Sequence, residues 1–313
     1  MSSKETVAAI DVGSNSIKLL IAQSNTDASD IVTVFTETIE TRISTGISRE
    51  LPSLSAEAIH AGTETIQVLV ELARNYNPSQ LQIVATSAVR DAINGQDFID
   101  SVRERCGHTI RVLSGTEEAT LIGKGLACDP AIEATTRFIQ MDIGGGSLEL
   151  IRFNAGAIEQ AISLQLGAVR LTERFVSDRE APLDTETEAS IRAHVQNELE
   201  CCGLPFDPNE DPLIATGGAL SVARAVLAAE AEMTIDHFRA ELSIEDITRL
   251  KEKLAALPLH ERMEVPNLPA SRADIVPTAL ITIEALLEHA QRRQLTHSFY
   301  NLRYGLVAEM LRV

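Results

Sequence analysis

Ile139-Gln-Met-Asp142-Ile-Gly144-Gly145-Gly146-Ser147-Leu-Glu-Leu-Ile151 is the stretch on which the fold turns. Ile139, Met141 and Ile143 alternate with Gln140, Asp142 and Gly144, the period of a strand. Three glycines interrupt it, and Leu148, Leu150 and Ile151 open a second apolar run. Packing alone rarely asks for three glycines in one turn. Their amides can close around an anion, because no Cβ blocks phosphate oxygens. The carboxylate of Asp142 just ahead of them would repel a bare phosphate, and makes sense with a hard cation such as Mg²⁺ between the two. The plainer alternative is a tight β-hairpin with an aspartate at the strand end.

The plainer alternative weakens because the pattern occurs twice. Val7-Ala-Ala-Ile-Asp11-Val-Gly13-Ser14-Asn15-Ser16-Ile-Lys18-Leu-Leu-Ile21 has the same layout. In both copies an apolar run ends in Asp-[Val/Ile]-Gly-x-x-Ser and a second apolar run follows. The copies stand a domain's length apart, so the sequence predicts a duplicated unit with a phosphate-gripping cleft between its halves.

Composition sets bounds on this reading. A length of 313 residues suggests about two domains. The chain is 44% hydrophobic but only 4% aromatic and has no Trp, so its cores are aliphatic and platforms for base stacking are few. A net charge of −18 argues against binding to nucleic acid polymers or membrane surfaces. A phosphate ligand then needs locally clustered Arg, Lys or metal. No stretch is long and apolar enough to span a bilayer. The N-terminus enters the first strand without a signal-peptide pattern. Cys106, Cys128, Cys201 and Cys202 show no Cys-x-x-Cys spacing, which fits a reduced, cytoplasmic setting.

Taken in order, residues 6–23 form the first hairpin and 31–41 a third strand rich in β-branched residues. Ser55 offers an N-cap for a helix to about residue 75. Leu81-Gln-Ile-Val-Ala-Thr86 is a buried strand whose carboxyl end carries Arg90, on the side where open α/β sheets bind ligands. An exposed ion pair with Asp91 or Asp97 is the ordinary alternative for Arg90. Helix 96–105 and strand 109–113 follow. Thr116 is a candidate cap for a helix with Glu117 and Glu118 in its first turn. These acids either complement the helix dipole or project one carboxylate toward the ligand as a base. Gly123-Lys124 is not a P-loop, because Gly125 stands where Ser or Thr is required.

The second half repeats the plan. A strand and loop run from Gly156 through Gly167 to Arg170, and a helix begins near Leu171. Residues 184–202 form another helix. Leu213-Ile-Ala-Thr216 is a strand ending in Gly217-Gly218, a second candidate anion nest or a close strand–helix turn. A helix starts at Ser243, a long apolar one covers 275–291, a strand runs from Leu295 to Phe299 and a helix covers 302–312. Strands alternating with helices, each half opening on a hairpin, make this an α/β chain of two domains. The seven histidines have no metal-ligand spacing, and neither a Gly-x-Ser-x-Gly elbow nor a dinucleotide fingerprint is present. Phosphoryl transfer assisted by Mg²⁺ suits the residues best.

The ordered motifs Asp11-Val-Gly-Ser-Asn-Ser16, Ala85-Thr-Ser-Ala-Val-Arg90, Ser114-Gly-Thr-Glu-Glu-Ala119 and Asp142-Ile-Gly-Gly-Gly-Ser147 are followed by Leu166-Gly-Ala-Val-Arg-Leu-Thr-Glu173, Thr216-Gly-Gly218 and Leu302-Arg-Tyr-Gly-Leu306. The whole set resembles the exopolyphosphatase / guanosine pentaphosphate phosphohydrolase family of the actin–Hsp70–sugar kinase superfamily. The resemblance implies two ribonuclease-H-like domains, divided here into 1–124 and 125–313, with the C-terminal helix 302–313 packing back on the first. It implies Mg²⁺ or another divalent cation, and hydrolysis of terminal phosphates from inorganic polyphosphate or a guanosine polyphosphate. By motif, Glu118 matches the catalytic glutamate and Asp142 the metal-linked aspartate, with Asp11 as a second metal-side carboxylate. Gly144, Gly145, Gly146 and Ser147 match one phosphate loop, and Asp11, Gly13, Ser14, Asn15 and Ser16 the other. Arg90 matches a phosphate-gripping cation, and Gly217 and Gly218 a further phosphate contact.

Thr120, Ala219, Phe238 and Asn301 depart from the usual pattern, at positions that bear on substrate preference. The chain resembles the short form of the family, from which short chains are the expected substrate. The leading expectation is thus a cytoplasmic exopolyphosphatase, with pppGpp 5′-phosphohydrolase as its near alternative. A kinase of the superfamily, or a non-catalytic nucleotide-binding interaction protein of the actin-like fold, are remoter ones. The assembly state is open, a homodimer included.

Overall fold

The computed structural model describes residues 5–24, 31–132, 137–154, 157–206 and 212–312. The chain forms two compact units, Met1–Ala134 with Tyr300–Val313, and Thr135–Phe299. The boundary expected after residue 124 falls inside a helix, and the helix stays whole in the first unit.

The first unit opens with β1 (Thr6–Val12), β2 (Ser16–Ser24) and β3 (Ile31–Glu40), then α1 (Ala56–Arg74) and β4 (Gln80–Ala85). The short α2 (Ser87–Arg90), α3 (Gly95–Cys106), β5 (Ile110–Val112) and α4 (Gly115–Leu126) follow. The sheet order is β3-β2-β1-β4-β5. The first three strands pair antiparallel, and β1, β4 and β5 pair parallel. Val7, Ala8, Ala9 and Ile10 are all buried, as a central strand covered on both faces requires. Edge strand β3 instead exposes much of one face.

The second unit contains β6 (Arg137–Ile143), β7 (Leu148–Asn154), β8 (Ala157–Leu164), α5 (Ala168–Phe175), α6 (Thr185–Cys201), β9 (Leu213–Thr216) and α7 (Gly218–Glu230). It continues through β10 (Glu241–Ser243), α8 (Ile244–Ala255), the short α9 (Leu259–Arg262), a single 3-10 turn at Ala270–Arg272, α10 (Val276–His289) and β11 (Gln294–His297). Its sheet order is β10-β11-β9-β6-β7-β8. Read from the other edge, β8-β7-β6-β9-β11 repeats the order of the first unit, so the duplicated hairpins belong to duplicated sheets. Helix α10 is apolar nearly all round and is buried from Val276 to Leu287, the pattern of a central core helix. Its one carboxylate in that span, Glu284, is 3% exposed and is held by Thr248, Lys251 and Arg192, which compensates the burial of charge.

After β11 the chain returns to the first unit as α11 (Leu302–Leu311), which packs on α4 and β1. The two helices touch backbone to backbone. A Cβ on Gly125 would lie 2.0 Å from the Asn301 carbonyl oxygen, and one on Gly305 would lie 1.9 Å from that of Leu121. No side chain fits there, so glycine is required on both helices. The N-cap of α4 lies two residues before the Thr116 cap expected from sequence. Ser114 is the N-cap, its hydroxyl accepts from the Glu117 N–H, and the Glu117 carboxylate accepts from the Ser114 N–H. This reciprocal capping box consumes Glu117. Together with Arg111 it holds the Glu117 carboxyl down at about 2.

Two outcomes follow from these contacts. Gly305→Ala is expected to destabilise the first unit by about 1–3 kcal/mol, the usual cost of forcing extra volume into a packed contact, read as a lowered thermal midpoint. An unchanged midpoint would mean that α4 and α11 part freely. Glu117→Gln removes a carboxylate whose folded value is depressed. Its stabilisation is therefore full above about 4.5 and is lost as pH falls toward about 2. The gap in midpoint between wild type and variant should narrow from pH 6 to pH 3. A gap that widens on acidification would contradict the capping role.

Candidate functional site

Both hairpins end in the same four-residue turn. The Gly13 N–H donates to the Ser16 carbonyl at 3.1 Å, and the Gly144 N–H to the Ser147 carbonyl at 2.9 Å. Turn carbonyls left without donors would be costly, and each turn has a backing segment that supplies them. Behind Gly144–Ser147 lies the start of α5. The amides of Ala168, Val169 and Arg170 donate to the carbonyls of Gly144, Gly145 and Gly145 at 3.0, 2.8 and 3.1 Å, and Arg170 Nε donates to that of Gly146 at 2.8 Å. A trans peptide points its N–H opposite to its C=O. With these carbonyls turned into α5, the amides of Gly145, Gly146 and Ser147 face the other way as a set. That is the geometry of an anion nest.

Gly167 makes this contact possible. A Cβ on it would lie 2.3 Å from the backbone of Gly146 and Ser147. Helix α5 accordingly starts at Ala168, three residues before the position expected from sequence, because its N-terminus is needed against the turn.

The first turn is backed by the segment after β3. Ser44 donates to the Ser14 carbonyl at 3.3 Å, and Thr41 and Arg42 donate to that of Asn15 at 3.1 and 2.9 Å. The Asn15 side chain is tied on both sides, donating to Glu40 Oε2 at 2.6 Å and accepting from Arg42 Nε at 2.8 Å. Asn15 thus fixes the turn with its side chain. Ser14 Oγ meets Ser87 Oγ at 3.0 Å, linking the turn to the helix of Arg90. Arg42 holds a left-handed backbone, φ 37°, uncommon for a residue with a Cβ.

The registers distinguish the two hairpins. Asp11 faces Lys18 across β1–β2, while Asp142 faces Glu149 across β6–β7. Packing around Asp11 raises its carboxyl above the usual range, opposed by the charges of Lys18 and Arg303. One hairpin therefore pairs its aspartate with a cation and the other with a second carboxylate. Glu149 is 1% exposed and accepts from Ser163 Oγ at 2.7 Å. Aligning the two repeats would have exposed the Lys18/Glu149 contrast, which reading each copy alone missed.

In the second unit Thr216 Oγ1 donates to Asp142 Oδ2 at 2.6 Å. Gly217 has φ 104°, and a Cβ there would meet Ile143 O at 2.6 Å and Asp142 Oδ1 at 2.9 Å. The Gly217-Gly218 turn, Thr216 and Asp142 thus form one cluster at the N-terminus of α7. Arg272 joins it, its Nη1 lying 2.0 Å from where a Gly218 Cβ would be. No local motif announces Arg272, which is brought there by tertiary packing from the 3-10 turn before α10.

In the first unit Arg90 Nη1 donates to Glu118 Oε2 at 2.7 Å and to the Leu113 carbonyl at 3.0 Å. Asp91 lies 3.5 Å from Arg90 Nε. The Glu118 side chain is 8% exposed, against 47% for Glu117. Of the adjacent pair, Glu118 is buried beside the cation and Glu117 is spent on the cap. Carboxylate, guanidinium and turn amides of these types can hold a phosphoryl group and a water.

Comparisons over the whole chain identify the fold and the family. The structure is similar to the Ppx/GppA family member of Aquifex aeolicus, with a TM-score of 0.80 at 23% identity over 99% of each chain. It is similar to an exopolyphosphatase from Cytophaga hutchinsonii, with a TM-score of 0.84 at 24% identity over 98% of each chain. An exopolyphosphatase-like protein matches at a TM-score of 0.89 and 25% identity, over 99% of this chain and 98% of that one. These likenesses show the actin-like two-domain α/β fold. The model of the Ppx/GppA phosphatase family matches residues 20–313. The chain belongs to the Ppx/GppA phosphatase family.

Proposed function

We propose that this protein is a Mg²⁺-dependent exopolyphosphatase that releases orthophosphate from the ends of short inorganic polyphosphate chains. The observation that carries the reading is Glu118, a buried carboxylate 2.7 Å from Arg90, on the first turn of α4 in the family motif. Glu118 holds the attacking water and takes its proton, and the P–O bond to the rest of the chain breaks. Arg90 orients Glu118, and a guanidinium is the side chain best matched to phosphate oxygens. Within the second unit, the amides of the Gly144–Ser147 turn and of Gly217 and Gly218 are the phosphate-binding groups.

The donor set suits Mg²⁺. Asp142 and Glu149 share one face of their hairpin in the second unit, and both offer oxygen. Among the described residues no group of three His, Cys, Asp or Glu makes a cage, and Mg²⁺ usually takes one or two carboxylates with phosphates and water. When bound, the cation neutralises phosphate charge. The preference for short chains rests on the net charge of −18: phosphates beyond the site meet a surface that is anionic on balance. Guanosine pentaphosphate is the second reading, implied by the resemblance of the ordered motifs. No helix among the described residues is long and apolar enough to cross a membrane.

Phosphate release from short polyphosphate, long polyphosphate, pppGpp and ATP, each with Mg²⁺ and with EDTA, tests the proposal. Fastest turnover of short polyphosphate, abolished by EDTA, is expected. A clear preference for pppGpp would move the protein to the second reading, and full activity in EDTA would remove the metal.

Glu118→Gln should lower kcat by about 10²–10⁴, the usual worth of general-base catalysis, while substrate still binds. Arg90→Ala should both lower kcat and raise KM, because Arg90 touches the base as well as being placed to hold phosphate. A rise in KM alone would make the Arg90–Glu118 pair a resting contact without a part in the chemistry.

A further inference from the structure

Behind the Gly217 turn lies a polar cluster that the proposed chemistry does not use. Arg224, 6% exposed, projects from α7, and His297, 3% exposed, ends β11 beside β9. Arg224 Nη1 lies 3.5 Å from His297 Nδ1, and Nη2 donates to the Phe238 carbonyl. A guanidinium only donates, so His297 Nδ1 accepts and its proton sits on Nε2. That nitrogen is 3.3 Å from Ser221 Oγ, and the Ser221 hydroxyl donates to the Gly217 carbonyl at 3.2 Å. Every link therefore has one direction, from Arg224 through His297 and Ser221 to Gly217.

The cluster is expensive for a purely structural one. Among the described residues no carboxylate lies within ion-pair distance of Arg224. Its Nε is buried without a hydrogen-bond partner, and its charge is covered by the Phe299 ring at 5.3 Å. Burial, reinforced by the charge of Arg224, holds His297 down at about 3, so the imidazole stays neutral at working pH. An apolar pair would fill this space at lower cost in desolvation. A back-bonded serine alone would need neither Arg nor His.

We propose that Ser221, His297 and Arg224 are positioning residues for phosphoryl transfer, a relay that sets the Gly217 turn against Asp142. The turn has little slack, since a Cβ on Gly217 would fall within 2.9 Å of Asp142 Oδ1. A displacement of a few tenths of an ångström at the Gly217 carbonyl is thus passed to the Asp142 carboxylate and to the amides at the start of α7. The relay rests on the reading of this turn as part of the phosphate site.

Ser221→Ala breaks the chain while leaving the Arg224–His297 contact in place, and Ser221→Thr keeps the hydroxyl. In polyphosphate hydrolysis with Mg²⁺, Ser221→Ala should lower kcat about tenfold, with KM changed by less than about twofold. Ser221→Thr should recover most of the loss, and His297→Gln, which keeps an N–H to offer Ser221, should retain more activity than His297→Ala. Hydrogen exchange of the amides from Gly218 to Ser221 should quicken in Ser221→Ala with the thermal midpoint little changed. Wild-type kcat in Ser221→Ala would overturn the proposal, whether or not exchange quickens. If the wild-type chain released no phosphate from any substrate, the functional reading would fail by itself. Unchanged exchange in Ser221→Ala would then separately overturn the relay.

Discussion

Where the carbonyls of two tight turns find their donors decides most of what this molecule can do. A turn built to present amides to an anion must send its carbonyls elsewhere, and buried carbonyls need partners. In the second unit the N-terminus of α5 meets that demand, and Gly167 lets the two backbones come within reach. In the first unit residues 41–44 do so, at the expense of a left-handed Arg42. The two solutions use different elements, a helix start and a loop, for one requirement. Duplication supplied the hairpin, and each copy was then backed by whatever its own unit placed behind it.

Charge is managed with the same local logic. A chain with net charge −18 must create positive potential residue by residue where phosphate is to sit. Lys18 faces Asp11, Arg90 meets Glu118, and Arg272 lies on Gly218. The Arg90–Glu118 pair shows the compromise involved. The ion pair compensates the burial of the Glu118 carboxylate's charge. It also commits to that carboxylate a cation of the kind that binds phosphate.

Much of this was legible in the sequence. The two hairpins were readable because Asp-x-Gly-x-x-Ser between apolar runs is a local signal, and its recurrence implied the doubled sheet. Glu118 was separable from Glu117 only by motif; the structure adds the reason, since Ser114-Gly-Thr-Glu117 is itself a capping box. That box was readable too, but the cap was placed at Thr116, two residues late. The domain boundary was set at 124 because no sequence feature shows that α4 is locked to α11 through Gly125 and Gly305. Gly167 stood in the Leu166–Glu173 motif without an assigned role, and Arg272 in no motif, for the same reason. Their importance lies in a close approach between segments distant in sequence, which no periodicity encodes. Glu149 was a different kind of miss, visible once the two repeats are set side by side.

The central claim is that water held by Glu118 attacks the terminal phosphorus. Polyphosphate hydrolysed in oxygen-18-enriched water, with the products separated and weighed by mass spectrometry, tests it most directly. The account requires one heavy oxygen in each released orthophosphate and none in the shortened chain. Heavy oxygen in the shortened chain would place the attack on the penultimate phosphorus and contradict it.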